Sequence, residues 1–211
     1  MNDRSPSPLR IQPQQQRALE KIERILDATA DLLALAGLDA VTPATVAKKA
    51  ELPSATVYHY FENRQALLLG LADRTMAQVD NAILAALAQL TPNQEPDWKT
   101  VVRLIYDSYH SAPGYVTLLR TLRSTPQLRT AVENSNLRVA LALAETLQQY
   151  SALEPQRLLR VAKLVSESVQ AMLELALTAT DTSEAEALVA EMQEMLDCLY
   201  QHYLLKQNPN T

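Results

Sequence analysis

An all-α fold follows from three features of the sequence. Glycine and phenylalanine are scarce, three and one among 211 residues, while leucine and alanine are abundant, a balance that disfavours sheets. Apolar residues recur at three- and four-residue steps along most of the chain. Between those runs stand residues that start and stop helices: prolines, capping Thr, Asp and Asn, and Gly37.

In chain order, residues 1–13 hold Pro6, Pro8 and Pro13 among polar residues and read as a disordered arm. Its Arg4 and Arg10, with Arg17, are either minor-groove or phosphate contacts or simply solvated. Residues 14–36 form the first helix, with Leu19, Ile22, Leu26, Ala30 and Leu33 as its stripe, widened by Ile25 and Leu32 and ended by Gly37. Thr42 caps a second helix with Pro43 in its first position, and Val46, Ala47 and Ala50 are its apolar side. Glu51, Leu52 and Pro53 interrupt it, and a third helix covers Ser54 to Tyr60.

A fourth helix runs from Asn63 to about Leu90 on Leu67, Leu71, Val79, Ile83, Leu84 and Leu87. Pro92 and Pro96 mark a linker from Thr91 to Asp97, and Asp97 caps a fifth helix reaching Ser111. Pro113-Gly114 turns the chain into a short sixth helix, Tyr115 to Leu122, broken near Thr125-Pro126. The seventh extends to about Tyr150 along Leu128, Val132, Leu137, Leu141, Ala144 and Leu147. Glu154-Pro155 opens the eighth, ending near Ala179, and Asp181-Thr182-Ser183 caps a ninth that ends near Leu205.

The third helix has an unusual composition. Thr56, Val57, Tyr58, His59 and Tyr60 are mediocre helix formers, so tertiary packing or function must justify them. At 100° per residue, Val57, Tyr60 and Phe61 fall on one side with Pro53; Ser54, Ala55, Tyr58 and His59 fall on the other, with Thr56 at the border. Small residues followed by hydrogen-bonding aromatics suit a helix that enters a DNA major groove. Asn63 caps the next helix, and Arg64 in its first turn can meet a phosphate.

These residues resemble the helix-turn-helix of the tetracycline-repressor (TetR) family of bacterial transcriptional regulators. The likeness rests on Thr42, Val46-Ala47, the run Thr56-Val57-Tyr58-His59-Tyr60-Phe61, and Asn63-Arg64, preceded by a first helix ending in Gly37. The chain departs from the family pattern at Glu51, where glycine is usual, and at Pro53, where a serine cap is usual. The resemblance implies a helix-turn-helix domain over 14–66, a larger helical ligand-binding and dimerisation domain over 67–205, and a tail at 206–211. It implies base-edge contacts from Ala44, Ser54, Ala55, Tyr58 and His59, and phosphate contacts from Thr42, Thr56, Tyr60 and Arg64. Double-stranded operator DNA, a second copy of the chain and a small-molecule effector are the implied partners.

Charge sets bounds on that reading. The net charge is −5, yet residues 1–64 balance eight Lys/Arg against eight Asp/Glu, so DNA binding must come from local placement and two copies acting together. Cys198 is the sole cysteine, which excludes an intrachain disulfide, fits a reducing cytoplasm, and on its apolar helix reads as buried. No apolar run is long enough to span a membrane. Phosphate-binding loops, His-Glu-x-x-His spacing and nucleophile elbows are missing, so no enzyme, metal or cofactor is expected.

The last two helices carry more apolar surface than one core face needs. Leu158, Val165, Val169 and Met172 on one, and Leu188, Met192, Met195 and Leu199 on the other, are the dimer interface that the family resemblance implies; the periodicity is compatible with it and equally with a wholly intramolecular core. Trp98, Arg103, Tyr106, Tyr109, His110, Tyr115, Arg120 and Met172 are the polar-tipped or adaptable residues available to a ligand. Arg157, Arg160, Lys163, Glu167, Gln170 and Glu174 form a polar stripe that reads as a solvated face. The expectation is therefore a dimeric repressor released by a small molecule; the competing reading is a helical interaction module, or a DNA-binding regulator without small-molecule control.

Overall fold

The computed structural model describes residues 16–88, 97–126, 128–148 and 151–202. The expected arm, the linker at 91–96, the tail, and the expected helix ends at Leu90, Tyr150 and Leu205 lie outside these. The described residues form α1 (Gln16–Ala36), α2 (Pro43–Lys49), α3 (Ser54–Tyr60), α4 (Arg64–Ala88), α5 (Trp98–His110), α6 (Tyr115–Ser124), α7 (Arg129–Gln148), α8 (Pro155–Leu177) and α9 (Thr182–Tyr200), with one 3-10 turn at Leu38–Ala40 and no strand.

Helix starts fall where side chains can satisfy orphan backbone N–H groups. The Thr42 hydroxyl accepts from the Thr45 amide, and the Thr45 hydroxyl accepts from the Thr42 amide. Asp97 accepts from the Thr100 hydroxyl at 2.6 Å and from the Thr100 amide, which together hold its carboxyl below the usual range. Asn63 serves Ala66, Glu154 serves Gln156 and Arg157, and Asp181 serves Ser183.

The chain divides into two compact units. The first holds described residues up to Met76 together with 112–132; the second holds 77–111 and 133–202. Helices α4 and α7 each contribute to both.

In the first unit α1 packs on α2, on the 3-10 turn and on α6, and α2 packs on α3. Ile22, Ile25, Leu26 and Leu33 of α1 are buried, as are Val46, Val57, Phe61, Leu67, Leu68 and Leu118. The α1 stripe begins one turn later than the sequence suggests, because Leu19 is 44% exposed. Two glycines are steric requirements. A Cβ on Gly70 would lie 2.7 Å from the Phe61 ring, and Gly114, at φ 70°, sits against the α1 backbone with Ala30 O 3.1 Å from a built Cβ. Arg24 donates to Ala50 O at 2.6 Å, tying α1 to the end of α2. Arg74 bridges Glu23 and Asp27.

In the second unit α8 packs on α9, and α5 on both. Arg103 of α5 pairs with Glu186 of α9 through both guanidinium arms, a bidentate geometry that lowers the Glu186 pKa and raises that of Arg103. Helix α7 differs from its expected phase. Leu137 and Leu141 are 41% and 49% exposed, while Ser135, Asn136, Ala140, Leu143 and Leu147 face inward. A polar pair on the inward side masks the true stripe. Ser135 donates to the buried Asp80 carboxylate at 2.8 Å, and Arg138 donates to its other oxygen at 2.6 Å. Two expectations on α8 and α9 are overturned: Gln170 is buried, not solvated, and Cys198 is exposed, not buried.

A candidate nucleic-acid interface and a candidate effector cavity

Helix α3 has the range its sequence predicts and the same two faces, except that Pro53, expected on the inward side, is exposed. Val57 and Phe61 are fully buried and Tyr60 is 7% exposed, whereas Ser54, Ala55, Tyr58 and His59 are exposed. Burying Val57 and Phe61 contributes about 2 kcal/mol or more each, which outweighs the few tenths per residue lost to poor helix propensity. Packing thus makes a helix of a weak helix former, and its outer face is left to other uses. Thr56 is half-buried at the border, and the His59 ring meets Tyr60 edge-on at 4.9 Å.

The corner before α3 is a Schellman motif. The Leu52 amide donates to Ala47 O at 3.0 Å and the Glu51 amide to Lys48 O at 3.3 Å. Such a cap requires a left-handed residue at its turning point, and Glu51 takes φ 52° there. Its side chain points into solvent. Pro53 then precedes the first residue of α3 without a side-chain cap.

Helix α2 adds Ala44, Thr45 and Lys48 to the exposed surface. Ala44 and Lys48 are four residues apart and so share a face. Lys48 has no ion-pair partner among the described residues, unlike Lys49, which meets Asp31 at 3.1 Å. Sequence reasoning passed over Lys48; the signal was its four-residue spacing from Ala44. The phosphate candidates are placed as follows. The Thr45 hydroxyl donates to Ala40 O at 2.6 Å, so in the 2.9 Å bond between the two hydroxyls Thr42 is the donor, and an incoming phosphate would compete with Thr45 for that proton. Arg64 Nε donates to Val41 O at 2.7 Å and Nη2 to Asp39 O at 3.4 Å, bracing the 3-10 turn against the start of α4. Tyr60 turns its ring into the core.

The second unit encloses a cavity of about 100 Å³ walled by α4, α5, α7, α8 and α9. Of the eight ligand candidates, Trp98 and Tyr109 line it. Arg103, Tyr106 and His110 are grouped elsewhere on α5: the Arg103 guanidinium lies 5.6 Å from the Tyr106 ring centre, and His110 stacks on that ring at 5.4 Å. Burial raises the Tyr106 pKa. Tyr115 and Arg120 belong to α6 in the first unit, and half-buried Met172 is not in the wall. The residues missed by sequence reasoning are Asn136, Ser166 and Gln170, polar groups on inward faces.

The expected dimer stripe needs correction on both helices. Leu158 and Met192 are 0% and 2% exposed, inside the protomer's own core, and Val165, Val169 and Leu199 line the cavity. Leu188 and Met172 are half-buried, and Met195 is 52% exposed. The outward apolar residues of α8 are instead Leu164 and Leu175, 70% and 61% exposed, with exposed Ala171 between them. Both stripes have helical period, so periodicity alone could not say which faced inward. No helix among the described residues is long and apolar enough to cross a membrane.

Comparison with known proteins meets this geometry at both units. Residues 25–71 match the model of bacterial regulatory proteins of the tetR family, and residues 98–198 match the tetracyclin repressor-like C-terminal domain. The HTH-type transcriptional repressor KstR of Mycolicibacterium smegmatis is 37% identical over 76 residues, which span 36% of this chain and 37% of that protein. A TetR-family transcriptional regulator from Streptomyces coelicolor superimposes with a TM-score of 0.58 at 25% identity, covering 87% of this chain and 99% of the other. One from Mesorhizobium loti reaches 0.70 at 17% identity, covering 90% and 100%. With the amino-terminal helix-turn-helix and the carboxy-terminal domain both matched in order along one chain, the protein belongs to the TetR family of bacterial transcriptional regulators.

Proposed function

We propose that the protein is a homodimeric repressor that binds a pseudo-palindromic operator in the cytoplasm and is released by a small molecule held in the cavity of its second unit. The observation that carries the reading is the split of α3, whose Val57 and Tyr60 are buried while Ser54, Ala55, Tyr58 and His59 are presented to solvent. Ser54 and Ala55 are small enough for close approach to base edges, and Ala can meet a thymine methyl. Tyr58, His59 and Ala44 complete the base-edge set, with Thr42, Thr56 and Lys48 toward phosphates. Arg64 serves mainly by positioning the 3-10 turn, since its donors are engaged there. Functionally, 14–66 address DNA and 67–205 address the effector and the second protomer.

Leu164, Ala171 and Leu175 of α8 support a partner-facing surface, since isolated exposed apolar residues are ordinary but three at helical spacing on one helix are not; Met195 of the packed helix α9 is exposed as well. A dimer presents two copies of α3 to successive major grooves, about 34–36 Å apart or a multiple of that. Helix α4 lends Asp80, Ile83 and Leu87 to the cavity wall and begins at Arg64. An effector with unequal affinity for two placements of α4 therefore shifts the DNA-competent population, by no more than that difference in affinity.

The test is binding to duplex DNA from upstream of the protein's own gene, followed by anisotropy across a salt series. Specific, steeply salt-dependent binding is expected, and Lys48→Ala should reduce the slope of log K against log salt by about one per protomer. Binding that ignores both salt and sequence would overturn the proposal.

A further inference from the structure

The cavity wall is apolar over most of its extent, yet three of the residues that line it carry a polar atom buried without a hydrogen-bond partner among the described residues: Trp98 Nε1, Asn136 Nδ2 and Ser166 Oγ. Trp98 and Asn136 are themselves more than nine-tenths buried. A buried donor without a partner is costly, and native interiors rarely keep three around one space unless something brought in from outside completes them. The chemistry of the three is one-sided. An indole N–H and an amide NH2 can only donate, and a hydroxyl can donate as well. What completes them is an acceptor.

Charge narrows the class further. Asp80 is the one carboxylate in the wall, and both its oxygens are engaged, by Ser135 and by Arg138. An anionic guest would face that carboxylate with no free cation in the wall. A cationic guest would have to displace Arg138. The remaining surface, including Leu158, Val165 and Val169, suits hydrocarbon. At about 100 Å³ the space is smaller than the engineered apolar cavities of about 150 Å³ that take benzene, so one six-membered ring is the upper bound on the body of the guest.

We infer that the cavity selects an uncharged, mainly apolar molecule bearing a carbonyl-type oxygen, with that oxygen held by Trp98, Asn136 and Ser166. This inference rests on the reading of the cavity as the effector site.

Trp98 is the only tryptophan in the chain, so its indole N–H gives a single resonance that reports directly on this oxygen. The full chain is titrated with acetophenone, ethylbenzene, benzoate and benzylammonium, with that resonance and calorimetric affinity as readouts. Acetophenone should bind and move the indole proton downfield, as a new hydrogen bond requires; ethylbenzene should bind without that shift; the two ions should bind at least about tenfold more weakly than acetophenone. Asn136→Leu and Ser166→Ala, each removing an unpartnered polar atom and so sparing the fold, should each weaken acetophenone about fivefold and leave ethylbenzene within about twofold. Ethylbenzene equal to acetophenone in the native chain and both variants would overturn the acceptor assignment while leaving an effector cavity in place. Tighter binding of either ion would overturn the neutral class. Failure of all four to bind would overturn the inference and the cavity's role together, whereas operator release by an unrelated compound that leaves the indole resonance unmoved would overturn this chemistry but not the regulatory reading.

Discussion

Glu51→Gly should make the protein both more stable and a tighter DNA binder, and the two effects are separable. Glu51 occupies the turning point of the Schellman corner between α2 and α3 at φ 52°, where a side chain with a Cβ is strained. For an L-residue the left-handed region costs about 1–2 kcal/mol. Glycine removes that cost but gives back about 0.4–1 kcal/mol through the entropy of its unfolded chain. The net is a gain of about 0.5–1 kcal/mol, or about 1–4 °C in Tm for a chain of this size. The carboxylate is exposed at the edge of the proposed DNA surface. One unit charge about 10 Å from a phosphate is worth about 0.4 kcal/mol in water, so removing it from two protomers should tighten binding about fourfold at low salt. Glu51→Gln keeps the backbone strain and loses the charge. Urea unfolding at fixed protein concentration, with anisotropy on the same samples, should show Gly raising both quantities and Gln raising affinity alone. Equal stability of the Gln and Gly variants would refute the strain account, and unchanged affinity in both would place Glu51 away from DNA.

Three further outcomes follow from the packing and the ion pairs. Gly70→Ala should destabilise the first unit by about 1–2 kcal/mol, because a Cβ 2.7 Å from the rigid Phe61 ring costs more than the helix propensity alanine returns; a stabilised variant in thermal unfolding would contradict that contact. Leu164→Glu and Leu175→Glu, placed on outward residues, should yield folded monomers by sedimentation, while Met192→Ala should lose stability without changing assembly beyond that loss; dimers in both Glu variants would move the interface elsewhere. Arg103 depresses the Glu186 pKa below its usual 4.5, so the pair's stabilisation is fully present above that value and is lost as pH falls through the folded pKa. Glu186→Gln should flatten the acid limb of the stability profile below about pH 4.5, and an unaltered limb would show the pair contributes nothing measurable.

Local chemistry made much of this molecule readable in advance. Pro43 and Thr42 fix the start of α2, Pro53 that of α3, and Asp97, Asp181 and Glu154 the starts of three more helices, because a cap or a missing N–H acts within one turn. The two faces of α3 were legible for the same reason: seven residues at 100° leave little freedom. Tertiary phase was not. On α7 the inward face carries Ser135 and Asn136, so exposed Leu137 and Leu141 offered the stronger but wrong stripe. On α8 buried Leu158 and exposed Leu164 and Leu175 repeat with the same period, and only packing against α5 and α9 distinguishes core from outer surface. The cavity's polar atoms are spread over α5, α7 and α8, and no spacing along the chain brings Trp98, Asn136 and Ser166 together.

The most direct measurement is selection from a random duplex pool by the native chain and by Ala55→Glu. Residue 55 is exposed in the first turn of α3, where an acidic side chain is compatible with the helix, so folding should be spared and only the groove contact challenged. The native chain should enrich a pseudo-palindrome, and the variant should bind that sequence about 100-fold more weakly, with its melting curve unchanged, as a carboxylate thrust among base edges and phosphates requires. A native chain that enriches nothing, or a folded Ala55→Glu that binds the selected duplex as tightly as the native protein, would contradict the assignment of α3 to DNA.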